Sequence, residues 1–128
     1  MIYGDSRGVE VRDSTICPGR GVFALHAFEP GDTVEVCPVL AIPKREHATV
    51  VGRTFLLYYQ FPWKTHESEG AIVLGFGSLY NHSDDPNARH VRDFERVLMR
   101  FEALKPIAAG EEVTISYAGP DGEFSPWW

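Results

Sequence analysis

Glycine, proline and other turn-forming residues break this chain into short apolar runs, and this spacing restricts the fold more than any other feature. The 128 residues include 12 Gly and 9 Pro, so few stretches are long enough for a regular helix. Apolar and polar side chains alternate over residues 96–102 and again over residues 112–117. Such alternation is typical of strands with one buried face. We therefore expect a mostly β domain in which both segments are half-buried strands.

One segment has helical spacing instead. Pro43 can open a helix, and apolar residues such as Val51 recur at helical spacing until Pro62 ends the pattern. The sequence predicts one helix, from Lys44 to about Tyr59.

Length and charge limit the class of protein. A chain of 128 residues with 44% hydrophobic residues can form one domain with its own core. Its net charge of -6 argues against direct nucleic-acid binding, which needs a basic surface, and favours a basic partner. No apolar run approaches the ~20 residues of a membrane span, and the N-terminus lacks the pattern of a signal peptide. We expect an intracellular protein with no membrane partner.

The two cysteines, Cys17 and Cys37, belong to no CxxC pair, so the sequence contains no zinc ribbon. One disulfide between them and two reduced thiols are both compatible with the sequence. An intracellular location favours the reduced thiols.

The segment "LYNHSDDPNA", residues 79–88, directly follows the apolar and glycine-rich "AIVLGFGS". As a hydrolase nucleophile, Ser83 would need a GxSxG elbow, which is missing. As metal ligands, His82 and His90 lack the i, i+4 helical spacing of a zinc protease. A turn explains the residues after His82, but it does not explain why Asn81 and His82 stand beside an apolar run.

The segment "PGRGVFA" contains Gly19 and Gly21, which would allow a ligand to approach the backbone closely. It lacks the third glycine of a dinucleotide-binding fingerprint, and the chain has no GK[ST] phosphate loop. Alone, these two glycines are a weak signal.

Three stretches together resemble, in order and spacing, the motifs of the SET-domain lysine methyltransferases. They are "GRGVFALHAFEPGDTV", "LGFGSLYNHSDDPNARH" and "ALKPIAAGEEVTISYAG". The resemblance runs from about Val9 to Trp128 and is strongest to the small stand-alone SET proteins of bacteria and large DNA viruses. It implies several small curved sheets around a knot-like core, with one short helical segment. Residues 1–128 would form a single SET domain, with residues 118–128 as an aromatic C-terminal tail.

The resemblance also implies a chemistry, the transfer of a methyl group from S-adenosyl-L-methionine to the ε-amine of a lysine in a protein. This in-line displacement depends on placement of the amine and requires neither a covalent intermediate nor a metal, so we expect no metal site. Burial of the lysine head in an apolar channel would lower its pKa. Aromatic walls would accept both the lysine stem and the cationic head.

Motif positions that match the family assign the cofactor-binding residues. Arg20 and Gly21 would offer backbone groups to the cofactor. Asn81 would bind it through its side chain and His82 through its backbone. Tyr80, beside this pair, would either line the cofactor side or fill the core.

Tyr117 matches the catalytic tyrosine of the family, whose hydroxyl would orient the lysine amine. Tyr59 matches the aromatic residue at the channel mouth, with Tyr58 one residue away as the alternative register. The acidic pair Glu111 and Glu112 is expected at a turn and on the surface.

The tail "PDGEFSPWW" ends in aromatic side chains that are costly to expose to water. It would cover either an open side of the core or a ligand pocket. By resemblance to the small relatives, which lack a zinc module after the catalytic tyrosine, Trp127 would cover the adenine, with Phe124 and Trp128 as alternatives.

Three functions remain open at this stage. The first is a lysine methyltransferase acting on a histone-like or other basic protein, cytoplasmic in a bacterium and nuclear if the substrate is chromatin. The second is a non-catalytic SET module that binds a peptide or protein partner. The third is a β-rich metal-binding protein that uses His82 and His90. Because some minimal relatives dimerise, a homodimer is a further expectation.

Overall fold

The computed structural model describes residues 3–119, which form two sheets. The first sheet has the strand order β1-β2-β9-β6 and the second has the order β4-β5-β3-β8-β7. This mostly β architecture confirms the predicted fold class. The strands are β1 (Val9–Asp13), β2 (Arg20–Ala24), β3 (Thr33–Pro43), β4 (Phe61–Pro62), β5 (Ser68–Val73), β6 (Asn81–His82), β7 (Ala88–Asp93), β8 (Leu98–Ala103) and β9 (Glu112–Ile115).

The long strand β3 gives the second sheet its curvature. Its first half pairs with β8 and its second half pairs with β5, both antiparallel. The pairing register shifts once between Thr33 and Glu35 and again between Ile42 and Pro43. Such irregularities bend a strand and increase its twist. One continuous segment therefore serves two partners, which curls the sheet around the core.

The helix begins where the sequence predicts but is much shorter. The helix α1 (Lys44–Val50) is followed by a separate 3₁₀ turn at Phe55–Tyr58, so the expected extent to about Tyr59 was wrong. The hydroxyl of Thr54 donates to the carbonyl of Val50 at 2.6 Å and accepts the N–H of Leu56. This side chain ends one helix and caps the next turn, in a stretch whose β-branched residues and Gly52 are poor helix formers.

The core lies between the two sheets, and the two predicted strands differ in how they meet it. In β8, Met99 and Phe101 are buried while Arg100 and Glu102 are partly exposed, as the alternation predicts. In β9 all four residues are buried. The half-buried expectation was wrong for β9 because this strand lies between β2 and β6, with β7 also packed against it.

A short parallel pairing joins two of the sequence motifs. In this pairing Asn81 lies opposite Thr114, and His82 lies opposite Ile115. The buried side chain of Asn87 fixes the arrangement, because its Nδ2 donates to the carbonyl of Glu112 at 2.9 Å and its Oδ1 accepts the N–H of Thr114 at 2.8 Å. The turn after His82 is therefore stapled to β9. Most of the predicted C-terminal tail, residues 120–128, lies outside the described residues.

The structure also describes the two cysteines and the length of the helices. Cys17 is exposed, Cys37 is buried, and both are free thiols. Within residues 3–119, no helix is long and apolar enough to cross a membrane.

Candidate active site

A pocket of about 220 Å³ opens where the PGRG segment, the 3₁₀ turn and the end of β9 meet. Of the residues predicted to form the site, four line this pocket: Arg20, Tyr59, Asn81 and Tyr117. The polar residues Arg20 and Asn81 lie on the side of the first sheet, and aromatic rings supply other parts of the wall. The fold thus brings together residues that are almost 100 positions apart in sequence.

The side chain of Asn81 is held in one orientation. Its Nδ2 donates to the carbonyl of Arg20 at 2.9 Å and to Oε2 of Glu112 at 2.8 Å. Both partners can only accept hydrogen bonds when the carboxylate is ionised, so the amide nitrogen must face them. The Oδ1 atom of Asn81 is left as the acceptor that the side chain can offer to a ligand in the pocket.

Glu112 is a member of the candidate site that the sequence did not reveal. It was expected on the surface, but only 7% of it is exposed. Besides Asn81, its carboxylate accepts the hydroxyls of Ser14 and Thr15 and the N–H of Thr15. The charge therefore joins Asn81 to the segment that leads into PGRG.

Asn81 and Glu112 can contact each other beside Gly21 because this residue has no side chain. A Cβ atom there would lie 2.9 Å from Nδ2 of Asn81 and would overlap the carboxylate of Glu112. Gly21 is therefore required for packing. This close approach could have been suspected from the sequence only with knowledge that Gly21 and Glu112 belong to paired strands.

The pKa of Glu112 reflects two opposed effects. Burial opposes ionisation of the carboxyl, but the hydrogen bonds from Asn81, Thr15 and Ser14 outweigh it and leave the pKa below its usual value. Glu112 is therefore an anion at neutral pH. The negative charge lies directly behind Asn81.

The imidazole of His82 contacts the backbone of the neighbouring tyrosine. Its Nδ1 accepts the N–H of Tyr117 at 3.0 Å, so Nε2 carries the proton and donates to Asp84 at 2.8 Å. The N–H of Ser83 donates to Ile115 in β9. Because backbone groups of a strand alternate between its two edges, the N–H and C=O of His82 point away from β9.

Tyr117 is partly buried, and its hydroxyl donates to the carbonyl of Tyr80 at 2.6 Å. Burial is the main cause that raises the pKa of Tyr117 to about 12, with contributions from Cys17 and Tyr59. At neutral pH the phenol is therefore protonated and its hydrogen is committed to the backbone. The oxygen can present lone pairs to the pocket, but it cannot serve as a general base.

The side chain of Tyr80 fills the core instead of lining the pocket. It is 1% exposed, its ring stacks on Phe101 at 4.2 Å between centroids, and its hydroxyl donates to Glu35 at 2.7 Å. Of the two alternatives that the sequence left open for this side chain, the structure has the core position. A contact between Tyr80 and a cofactor remains a prediction for its backbone alone.

The aromatic wall contains Tyr59, which the resemblance assigns to the channel mouth, and also Tyr58, the alternative register. Tyr58 and Tyr59 each line the pocket, and the ring of Phe55 meets that of Tyr59 edge to face at 6.0 Å. The predicted adenine cover, Trp127, lies outside the described residues, as do Phe124 and Trp128.

The metal-binding alternative has no site in the part of the chain that the structure describes. Between residues 3 and 119, no group of three His, Cys, Asp or Glu side chains is close enough to hold a metal ion. His90 is buried against Phe61, with ring centroids 5.1 Å apart, while His82 is bonded to Tyr117 and Asp84.

Known proteins resemble this chain in sequence and in fold. The sequence profile of the SET domain matches residues 19–118. A histone-lysine N-methyltransferase of Schizosaccharomyces pombe, specific for H3 lysine-37, is 35% identical over 109 residues, which cover 85% of this chain and 72% of that protein. A crystal structure of a Plasmodium falciparum protein, provisionally assigned as a histone methyltransferase, superposes with a TM-score of 0.67 and 29% identity over 85% of this chain and 96% of that one.

Proposed function

The chain belongs to the SET-domain family of protein-lysine methyltransferases, and from this premise we propose that its pocket joins bound S-adenosyl-L-methionine to the lysine of a basic protein. The observation that carries the proposal is the pair of fixed groups in one pocket. The amide of Asn81 is oriented by Glu112 on one side, and the hydroxyl of Tyr117 is oriented by Tyr80 on the other.

The cofactor half of the pocket suits an amino acid with an ammonium group. The Oδ1 atom of Asn81 is an acceptor for that ammonium, and the anion of Glu112 behind it favours a positive charge. We propose that the adenine lies along the outward backbone groups of His82, next to Arg20, which lines the pocket, and its neighbour Gly21. Contacts by Arg20, Gly21, His82 and Trp127 are part of this proposal.

When bound, S-adenosylmethionine supplies a methyl group on a positively charged sulfur; an amine that attacks the methyl carbon in line takes the methyl group, and S-adenosylhomocysteine leaves. Tyr117 would accept a hydrogen bond from the lysine nitrogen and aim its lone pair at the methyl carbon. Because the pKa of Tyr117 is about 12, its role is orientation. The lysine must lose its proton to solvent before transfer, and desolvation in the pocket lowers the lysine pKa and favours that loss.

Tyr59 and Tyr58 would contribute to the walls of the lysine channel. Their rings offer apolar surface to the lysine stem and π faces to its cationic head before and after methylation. Both tyrosines line the pocket. Tyr59 is close enough to Tyr117 to contribute to the raised pKa of Tyr117. We therefore propose that Tyr59 lies nearer the transferred methyl group than Tyr58 does.

The direct test is methyl transfer from isotopically labelled cofactor to mixed histones, with methyl-lysine detected by mass spectrometry. Tyr117→Phe removes the orienting hydroxyl and should lower the rate by ~100-fold or more. Tyr3→Phe, the same change at an exposed position, should leave the rate unchanged. Stoichiometric cofactor binding without transfer to any basic protein tested would favour the non-catalytic SET module.

The substrate class rests on charge and on the relatives. The net charge of -6 favours association with a basic protein, and the Schizosaccharomyces pombe relative is named for a histone lysine. We propose a histone-like or similar Lys/Arg-rich substrate. The protein would then act inside the cell, in the nucleus if that substrate is chromatin.

A further inference from the structure

Glu35 is a second buried carboxylate, and it lies outside the pocket. It sits in β3 and is 1% exposed. Its Oε2 accepts the hydroxyl of Ser6 and the N–H of Phe76, the latter at 2.9 Å, and its Oε1 accepts the hydroxyl of Tyr80 at 2.7 Å. A carboxylate in the core is tolerated only when donors satisfy it. Here they come from elements far apart in sequence.

The segment of residues 75–80 wraps around this carboxylate. It is fastened at its start by the N–H of Phe76 and at its end by the hydroxyl of Tyr80. Gly75 has φ of +62°, and a Cβ atom there would lie 2.7 Å from Oε2 of Glu35. The close fit requires glycine at this position. Glu35 thus fixes both ends of the segment that precedes β6.

This segment ends in the carbonyl that receives the hydroxyl of Tyr117. The distance is 2.6 Å, and the ring of the same residue, Tyr80, is held by Phe101 on one face and by Glu35 at its tip. We propose that Glu35 is a positioning residue for methyl transfer, which acts through Tyr80 to place the hydroxyl of Tyr117. Its effect on the rate rests on the proposed function, whereas its effect on the position of Tyr117 does not.

The cofactor side has a separate anchor. Asn81 is held by Glu112 and the carbonyl of Arg20, and neither of these touches Glu35 through a described hydrogen bond. Loosening Tyr80 should therefore reduce kcat while the dissociation constant for S-adenosylmethionine changes little. Loosening Glu112 should instead raise the dissociation constant for S-adenosylmethionine and change kcat little.

Two single variants and their combination test the link. Tyr80→Phe removes the bond to Glu35 but keeps the ring and the backbone carbonyl. In Glu35→Gln, the amide has one acceptor oxygen, which the N–H of Phe76 requires, so the NH₂ group faces Tyr80 and its hydroxyl loses an acceptor. Each variant should lower kcat by ~10-fold or more. Because both act through one bond, the double variant should be no worse than either alone.

A spectroscopic readout measures the position of Tyr117 without requiring activity. In protein labelled at tyrosine Cζ with ¹³C, the signal of Tyr117 is the one lost in Tyr117→Phe. This signal should shift in both Tyr80→Phe and Glu35→Gln, and it should stay in place in the exposed control Tyr3→Phe.

An unchanged Tyr117 signal in folded Tyr80→Phe would overturn the inference, as would additive losses of kcat. If the wild-type chain transfers no methyl group, the proposed function fails while the Tyr117 signal still decides the role of Glu35.

Discussion

The orientation of one amide, that of Asn81, depends on the ionised state of one buried residue. The carboxylate of Glu112 and the carbonyl of Arg20 accept both of its N–H groups, and this leaves the oxygen for a ligand. Tyr117 shows the same logic, since its only hydroxyl proton is donated to Tyr80. At the scale of single residues, the site therefore consists of side chains whose hydrogen-bonding roles are set before any ligand arrives.

Glu112→Gln should weaken cofactor binding by ~10-fold or more. The glutamine would present an amide hydrogen where Asn81 now donates, or would turn its oxygen there and leave Ser14 and Thr15 with fewer acceptors. Isothermal titration calorimetry with S-adenosylmethionine measures the effect. The neighbouring exposed glutamate provides the control, and equal affinities for Glu111→Gln and Glu112→Gln would contradict the role of Glu112.

His90 should make the fold sensitive to acid. Burial, followed by the nearby charge of Arg92, lowers the pKa of His90 to about 3 from 6.5. The unfolded chain binds this proton at higher pH than the folded chain, so the free energy of unfolding should fall as pH drops from 6.5 towards 3 by up to ~1.4 kcal/mol per pH unit. Urea unfolding across this range should show a shallower dependence for His90→Phe, and an identical pH slope would refute this contribution.

At the scale of elements, alternation and turn residues predicted the strands but not how their neighbours cover them. The pattern identified β8 correctly because one of its faces is partly exposed. It misjudged β9, and with it Glu112, because burial of a polar residue depends on partners such as Ser14 and Asn81 that are distant in sequence. The helix was predicted too long because helical spacing does not reveal that Thr54 bonds to Val50 and ends the helix.

The sequence predicted part of the pocket, as it predicted part of the fold. The resemblance placed Asn81 and Tyr117 in one site, and both line the pocket. It could not reveal Glu35, which lies just outside the three matching stretches and contacts the segment of residues 75–80 through hydrogen bonds. For Tyr80 the sequence left the cofactor side and the core as alternatives; side chains along extended backbone alternate in direction, so its ring points into the core while Asn81 lines the pocket.

The stapling of the turn to β9 gives a prediction about stability. Asn87→Ala would leave the carbonyl of Glu112 and the N–H of Thr114 without their buried partner. The expected loss in the free energy of unfolding is ~2–4 kcal/mol, measured by urea denaturation. Asp85→Ala, which removes only an exposed ion pair with Lys105, should cost less than ~1 kcal/mol. Equal losses for the two variants would mean that Asn87 does not brace the strand.

At the scale of the whole molecule, the net charge of -6 bears on the choice of substrate. Opposite charge accelerates encounter with a basic protein, and salt screens that attraction over ~10 Å at 0.1 M. The KM for histones should therefore rise as salt increases from ~50 to ~500 mM, while the affinity for the cofactor, held inside a pocket, should change little. A KM independent of salt would exclude electrostatic recruitment.

The oligomeric state is a second property of the whole molecule. The expected homodimer remains a prediction, and light scattering of the purified chain at assay concentration measures it directly. A dimer has twice the 14.4 kDa mass of the chain. A monomer mass under conditions that support methyl transfer would show that one copy is sufficient.

The central claim is that the pocket beside Asn81 binds S-adenosylmethionine, and calorimetric titration of the purified protein tests it most directly. We predict binding of about one equivalent of cofactor, weakened by ~10-fold or more in Asn81→Ala because the acceptor for the ammonium is lost. Glu111→Gln, at an exposed position outside the pocket, should bind like the wild type. No binding by the folded protein at millimolar cofactor, or equal affinity in Asn81→Ala, would contradict the account.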